Sequence, residues 1–167
     1  MNHESIIPWL LSRALRTESP ISQNKQYAAE ILTILLQSSF SSRRKFVQLN
    51  GVDSFLQTLS VYRKRDPTKG TEEEEYVENL FDSMTCAVDE AGGKEKFLEA
   101  EGIELCLIMA KEGKMSRPRA LRILDHALGG GDGSVCCVRL VEAAGLKTIF
   151  TLFMKKACCF TLPWDFY

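Results

Sequence analysis

A glycine-centred pattern of short helices recurs three times along the chain and limits the possible folds more than any other feature. Each copy places an apolar pair just before a glycine: Phe46-Val47 before Gly51, Phe97-Leu98 before Gly102, and Leu140-Val141 before Gly145. A second apolar pair follows each glycine at a matching distance: Phe55-Leu56, Cys106-Leu107 and Ile149-Phe150. The three glycines lie 51 and 43 residues apart, so the chain repeats one supersecondary plan.

Repeats of roughly 40–47 residues with two or three helices are typical of HEAT and armadillo arrays. One such unit cannot bury its apolar stripe alone and must stack on its neighbours. Apolar spacing predicts a first helix at 6–15 and further helices at 23–37, 42–49, 52–62, 72–88, 94–100, 103–111, 116–128, 135–144 and 146–155. No segment alternates as a strand does. The sequence therefore predicts an all-α, armadillo/HEAT-like α-solenoid of about three repeats, truncated at both ends.

The repeat domain is predicted to cover residues 1–156, as part of a longer array, and residues 157–167 form a separate apolar tail without a helical stripe. Within the domain, Phe97 and Leu107 are predicted to be buried because they occupy repeated positions. In the helix at 23–37, the predicted buried stripe is Tyr27, Ile31, Ile34 and Leu35, widened by Ala28, Leu32 and Leu36.

Several residues are predicted to mark helix ends. Ser41-Ser42 and Ser116 are expected to cap the helices at 42–49 and 116–128, because serine oxygens accept from free backbone N–H groups. Gly92-Gly93 is expected to stop the helix at 72–88.

The composition excludes some classes of protein. The chain has 167 residues, of which 45% are hydrophobic and 26% charged, with a net charge of −1. That balance gives no general attraction to nucleic acid or to an anionic membrane, and no apolar run is long enough for a membrane span. Six cysteines show no C-x-x-C or Cys/His ligand spacing. We interpret them as reduced thiols, which are typical of the cytosol or nucleus.

The sequence contains no recognisable set of catalytic or phosphate-binding residues. His126 follows Asp125 directly on a predicted helix, so the two side chains point to different sides. The glycine run at 129–133 lacks the Lys-Ser/Thr of a phosphate-binding loop. The basic clusters at 43–45 and 63–65 have no interleaved aromatic residues, which favours solvated surface over nucleic-acid contact. We therefore expect no catalytic, cofactor-binding or metal-binding residues.

One charged segment does suggest a binding surface. Glu72 to Glu75 open the long helix at 72–88, where the helix dipole favours negative charge. In an armadillo repeat the third helix lines the concave groove, and this helix is third after those at 42–49 and 52–62. Its polar face would present Glu75, Glu78, Asn79 and Asp82 to a basic peptide. The alternative is that the acidic run only begins the helix and balances the basic loop before it.

Five blocks resemble one family. They are EILTILLQ at 30–37, ENLFDSM at 78–84, FLEAEGIEL at 97–105, SRPRALRILDHAL at 116–128 and GLKTIFTLFMK at 145–155. In order and spacing they resemble the beta-catenin-like protein 1 family, nuclear armadillo-repeat proteins associated with the spliceosome. The resemblance extends from about residue 6 to residue 156.

The resemblance implies a nuclear, non-catalytic protein-binding scaffold without a cofactor, acting in pre-mRNA splicing. It implies as partners the splicing-factor proteins of the nineteen complex, bound through basic, nuclear-localisation-type segments, and no direct contact with nucleic acid or membrane. A nuclear-import or other cargo adaptor is the alternative. Such adaptors use a ladder of groove asparagines, whereas here only Asn79 fits the pattern and Ile31 and Ile123 occupy the matching positions.

Overall fold

Ten α-helices make up most of the part of the chain that the structure describes. The computed structural model describes residues 5–157, and the side chains of residues 5–154. The helices are α1 (Ile7–Leu15), α2 (Gln23–Ser38), α3 (Phe40–Gln48), α4 (Gly51–Ser60), α5 (Glu72–Val88), α6 (Ala91–Glu99), α7 (Gly102–Glu112), α8 (Ser116–Leu128), α9 (Ser134–Glu142) and α10 (Gly145–Ala157). No strand occurs in the described part of the chain, and the all-α prediction is confirmed. Most of the predicted tail, residues 158–167, lies outside the described residues.

The helices stack as a solenoid in three parallel rows. α3, α4 and α5 form one repeat, and α6, α7 and α8 form the next. Each helix contacts its counterpart in the neighbouring repeat, which gives the rows α3–α6–α9, α1–α4–α7–α10 and α2–α5–α8. The buried apolar side chains form one continuous core that runs through all three rows. The row α2–α5–α8 contains the two longest helices, α5 with 17 residues and α2 with 16, as expected for the third helices of armadillo repeats. We call it the long-helix row.

The turn before each repeated glycine shows why the pattern recurs. The left-handed backbone conformation falls on the residue before the glycine, with φ of 57° at Asn50, 55° at Glu101 and 55° at Ala144. The glycine serves another purpose. A Cβ on Gly51 would overlap the ring of Phe46, and one on Gly102 would overlap the ring of Phe97. Glycine therefore lets the next helix begin directly against the buried side chain that lies five residues earlier.

The core contains both residues that the repeat pattern placed there. Phe97 is fully buried and Leu107 is nearly so. Phe46, the counterpart of Phe97, is also fully buried and meets the ring of Phe55 edge-on at a centroid distance of 5.1 Å. The glycine-anchored alignment thus identifies true structural equivalents.

The prediction for α2 was half wrong, because the middle of this helix, residues 27–36, is apolar on most sides and the prediction chose the wrong one. Ala28, Leu32 and Leu36 are buried, but Tyr27, Ile31 and Ile34 are exposed. The side next to α5 contains Ala29 and Thr33, and the Thr33 hydroxyl lies 2.9 Å from both the Asn79 carbonyl oxygen and Ser83 Oγ. A small residue and a hydroxyl allow the two helices to approach closely, which apolar periodicity alone does not reveal.

The predicted helix ends also need correction. Ser39, not Ser41 or Ser42, caps α3 by accepting from the Ser42 backbone N–H, and Ser42 itself is buried. Met115 precedes α8, so Ser116 is its first residue rather than its cap, and it too is buried. Gly92 and Gly93 do not stop α5, which ends at Val88, but lie in the first turn of α6. A Cβ on Gly93 would overlap the Ala87 carbonyl oxygen, so glycine allows a close crossing there.

Candidate partner-binding surface

The four predicted site residues lie together on one exposed side of α5. Glu75, Glu78, Asn79 and Asp82 are three or four residues apart, and such residues share a helix face. Glu75 is exposed and the other three are partly exposed. Because α5 lies between α2 and α8 in its row, this face occupies the middle of the surface that the three long helices present.

Basic side chains of α8 neutralise part of this acidic face. Arg119 Nη2 forms an ion pair with Glu78 Oε1, and Arg122 Nη1 lies 3.3 Å from Asp82 Oδ1. A third polar contact continues the series at the end of α5, where His126 Nδ1 lies 2.7 Å from Asp89 Oδ1. The surface is therefore an acidic row beside a basic row, and only Glu75 of the three acidic site residues has no basic partner among the described residues.

The basic row was not predicted as part of the site, because the sequence shows the spacing of the arginines but not which helix they face. Arg119 and Arg122 are three residues apart and lie on the side of α8 that faces α5. Glu78 and Asp82 are four residues apart on the facing side of α5. The pairs join residues about forty positions apart in the sequence, so only the stacking of repeats brings them together.

Asn79 is engaged by its own helix. Its side-chain Nδ2 donates to the Glu75 carbonyl oxygen at 2.9 Å, and its backbone carbonyl oxygen accepts from the Thr33 hydroxyl. Of the two positions matched to Asn79 by sequence, Ile31 is exposed whereas Ile123 is fully buried. The match to Ile123 was therefore wrong, because that residue faces the core and not the groove.

The first turn of α5 is tied to the basic loop that precedes it. Glu73 accepts from the Tyr62 hydroxyl at 3.0 Å and forms an ion pair with Arg65, whose guanidinium lies 5.4 Å from the centre of the Tyr62 ring. Burial and then the neighbouring Glu73 raise the pKa of Tyr62 to about 12. Glu74 accepts from the Gly70 backbone N–H at 2.7 Å. Two of the four glutamates thus serve their own chain, as the alternative interpretation expected.

The histidine, cysteine and carboxylate side chains of the described residues form no metal-binding cluster, and one thiol is fully buried. Among residues 5–154, no group of three or more His, Cys, Asp and Glu side chains is arranged to hold a metal ion. Cys86, Cys106, Cys136 and Cys137 are free thiols, and burial raises the pKa of Cys106 to about 12. A thiol with so high a pKa is a poor nucleophile at neutral pH. Cys158 and Cys159 lie outside the described residues.

Comparison with known proteins identifies the family. Residues 1–160 match the family described as "Catenin-beta-like, Arm-motif containing nuclear". The chain belongs to that family. The family description places its members in the nucleus and their fold among armadillo proteins, which agrees with the three rows of helices.

Individual relatives agree with the family match. The chain is 45% identical over 162 residues to the beta-catenin-like protein 1 homolog of Schizosaccharomyces pombe. The matched region covers 97% of this chain and 28% of that protein. It is 42% identical over 153 residues to beta-catenin-like protein 1 of Homo sapiens and of Bos taurus, which covers 92% of this chain and 27% of each relative. The chain thus spans just over a quarter of the length of these relatives.

Among the described residues, none of the helices from α1 to α10 combines the length and the apolar character that a transmembrane helix requires.

Proposed function

We propose that this chain is part of a non-catalytic scaffold that associates with the spliceosome in pre-mRNA splicing and binds basic, nuclear-localisation-type segments of splicing factors. Family membership supports a nuclear protein-binding role, and the family resemblance implies splicing factors of the nineteen complex as partners. The observation that carries the proposal is the exposed acidic face of α5, with Glu75 open to a partner in the middle of the long-helix row.

The ion pairs on this face suggest how a basic segment is held. Arg119 and Arg122 already occupy Glu78 and Asp82, so they show that a guanidinium can reach both carboxylates. Exposed ion pairs contribute only about 0–1 kcal/mol each, so a peptide cation can displace them at little cost. Arg119 also donates to the Met115 carbonyl oxygen at 3.1 Å, which retains an acceptor for it after displacement. We propose that Glu75 attracts the segment first and that Glu78 and Asp82 then exchange partners.

Charge reversal on α5 tests this mode of binding. We expect Glu75→Lys with Glu78→Lys to lower the affinity for a synthetic Lys/Arg-rich segment by at least about tenfold, because several charges act together at one site. Isothermal titration calorimetry at low and at high salt measures the affinity, which should weaken as salt screens the charges. Neither residue belongs to the buried stripe, so the fold should survive.

A matched control separates the site from net charge. Glu95→Lys with Glu112→Lys changes the charge of the protein by the same amount, at exposed positions of α6 and α7 outside the long-helix row. This control should bind nearly as tightly as the parent chain. Equal loss in both double variants, or binding that ignores salt, would rule out the acidic face as the site.

The neighbouring arginine offers a test in the opposite direction. Arg119→Ala removes the intramolecular partner of Glu78 and should strengthen binding of the basic segment by up to about fivefold, the equivalent of one exposed ion pair.

The spliceosomal part of the proposal needs a separate experiment. A pull-down from nuclear extract with mass spectrometry should recover splicing factors with the parent chain and lose them with the α5 double variant.

The structure gives little reason to prefer the cargo adaptor. Backbone clamping of an extended peptide requires groove asparagines with free amides, and the Asn79 amide donates to its own helix. The exposed side chains of α2, the helix next to α5 in the row, include the apolar residues Tyr27, Ile31 and Ile34 and not a second asparagine at the matched position.

A further inference from the structure

A cavity lies at one end of the molecule, away from the acidic face of α5. It is half open to solvent, has a volume of about 710 Å³ and is bordered by the α1–α2 connection, the start of α2, the end of α4 with the turn after it, and the first turn of α5. Its walls include the apolar side chains of Leu15, Ile21 and Val61 and the rings of Tyr62 and Tyr76. Nothing in the proposed binding of basic segments uses this cavity.

Lys25 lines the cavity with a buried side-chain stem, and its ammonium reaches the solvent there. Only 6% of its surface is exposed, and its ammonium lies 4.6 Å from the centre of the Tyr76 ring. No described residue accepts a hydrogen bond from this ammonium, although it carries three N–H donors. Burial lowers the pKa of Lys25, which reflects the cost of holding a charge away from water. A ring face compensates that cost only in part.

The other well-enclosed charges of the cavity have partners. Glu18 lies 2.5 Å from Arg13 and 2.6 Å from the Ser22 hydroxyl, and Glu73 is held by Arg65 and the Tyr62 hydroxyl. Glu72 lines the same cavity as an exposed residue. The cavity therefore offers one ammonium without a protein acceptor among the described residues, an apolar wall, and carboxylates that are already present.

We propose that this cavity binds a carboxylate carried on an apolar group, with the Lys25 ammonium as its hydrogen-bond donor. A singly charged carboxylate neutralises one ammonium, and the apolar wall accommodates the group that carries it. Glu18, Glu72 and Glu73 line the same cavity and repel any anion, but they repel a dianionic phosphate more strongly than a singly charged carboxylate, so phosphate fits less well. The carboxylate can be the C-terminus of a peptide that ends in an apolar residue, or an aspartate side chain beside one.

Titration of the labelled chain with matched probes tests the site. The side-chain signals of Lys25 are followed by NMR while one of four probes is added: acetyl-Leu-Phe with a free carboxylate, acetyl-Leu-Phe-amide, acetyl-Asp-Phe-amide, or inorganic phosphate. We expect a saturable shift with one or both carboxylate probes and none with acetyl-Leu-Phe-amide. Which of the two carboxylates binds identifies the source as a C-terminus or a side chain.

Two variants assign the binding to Lys25. Lys25→Met should weaken binding of the carboxylate probe by about tenfold or more, the usual value of a hydrogen bond to a charged group. Lys69→Met, at an exposed position of the loop that precedes α5, should bind like the parent. If Lys25→Met fails to fold by circular dichroism, Lys25→Arg serves instead, and it should retain the carboxylate preference because it keeps the charge.

Several results would overturn the proposal. They are the absence of a saturable shift with both carboxylate probes, equal binding of the amide probe, tighter binding of phosphate, and equal loss of binding in Lys69→Met. None of these outcomes bears on the acidic face of α5, which binds a partner of opposite charge at another place.

Discussion

The last helix pair and the two complete repeats place equivalent residues in opposite environments. Leu56 of α4 and Leu107 of α7 are 4% and 7% exposed, whereas their counterpart in α10, Phe150, is 62% exposed. The residues that flank them behave in the same way: Val52, Leu59, Ile103 and Ala110 are buried, but Leu146 and Phe153 are exposed.

The cause of this difference is the neighbouring helix and not the helix itself. α4 packs on α5 and α7 packs on α8, each the third helix of its own repeat. No third helix lies against α10 within the described residues. The same apolar spacing therefore forms core in one repeat and surface in another, because in a solenoid each unit completes the burial of the next.

The largest expected effect comes from the centre of the stack. Phe97→Ala should lower the free energy of unfolding by about 3–5 kcal/mol, because it leaves a large cavity at a fully buried site. Urea unfolding followed by circular dichroism measures the change. A loss below about 1 kcal/mol would mean that the site collapses and that Phe97 is peripheral.

A matched pair of substitutions tests the comparison directly. Leu107→Ala should cost about 2–5 kcal/mol of unfolding free energy, the range for buried leucine. Phe150→Ala, at the equivalent position of α10, should change it by no more than about 0.5 kcal/mol, as exposed sites do. Equal costs would show that α10 is covered in solution and would break the contrast between the two regions.

The close approach of glycine and ring predicts a smaller effect. Gly102→Ala should cost about 1–3 kcal/mol, because the added Cβ would overlap the buried ring of Phe97. In a Phe97→Ala background the same substitution should cost much less, since the ring is gone. A double-mutant cycle in urea measures this coupling, and additive costs would assign the role of Gly102 to its backbone alone.

The smallest expected effect on stability concerns the α1–α2 connection. Hydrogen bonds and an ion pair among Arg13, Glu18 and Ser22 hold this connection in place. Hydrogen bonds from Ser22 and then Arg13 lower the pKa of Glu18 from 4.5 to about 2. Because the folded-state pKa is the lower one, this contribution is fully present above about pH 4.5 and is lost as the pH falls towards 2. The Glu18→Gln variant should lack this part of the acid sensitivity. Urea midpoints of both proteins between about pH 5 and pH 2.5 measure it, and parallel curves would contradict it.

Some features of the candidate site follow from the local sequence, and others depend on contacts between repeats. The spacing of Glu75, Glu78, Asn79 and Asp82 predicted one shared helix face, which local geometry guarantees once the helix exists. The ion pairs of Glu78 and Asp82 with α8 could not be predicted, because they depend on how two repeats stack. The enclosure of Lys25 is equally non-local, since α1, α2, α4 and α5 all contribute to its cavity.

The sequence by itself determined the helices, the glycine-anchored repeat and the packing of Phe97 over Gly102, whereas the burial of Leu107 also needed α8. These follow from interactions within about ten residues of the chain: helical periodicity, the left-handed residue before each glycine, and the side chain that packs over it. Only the tertiary structure decided which side of α2 is buried, because residues 27–36 in the middle of that helix are apolar on most sides. It also decided that the face of α10 is exposed and that arginines accompany the acidic row of α5. Each of these depends on a neighbouring repeat, whose position no local pattern specifies.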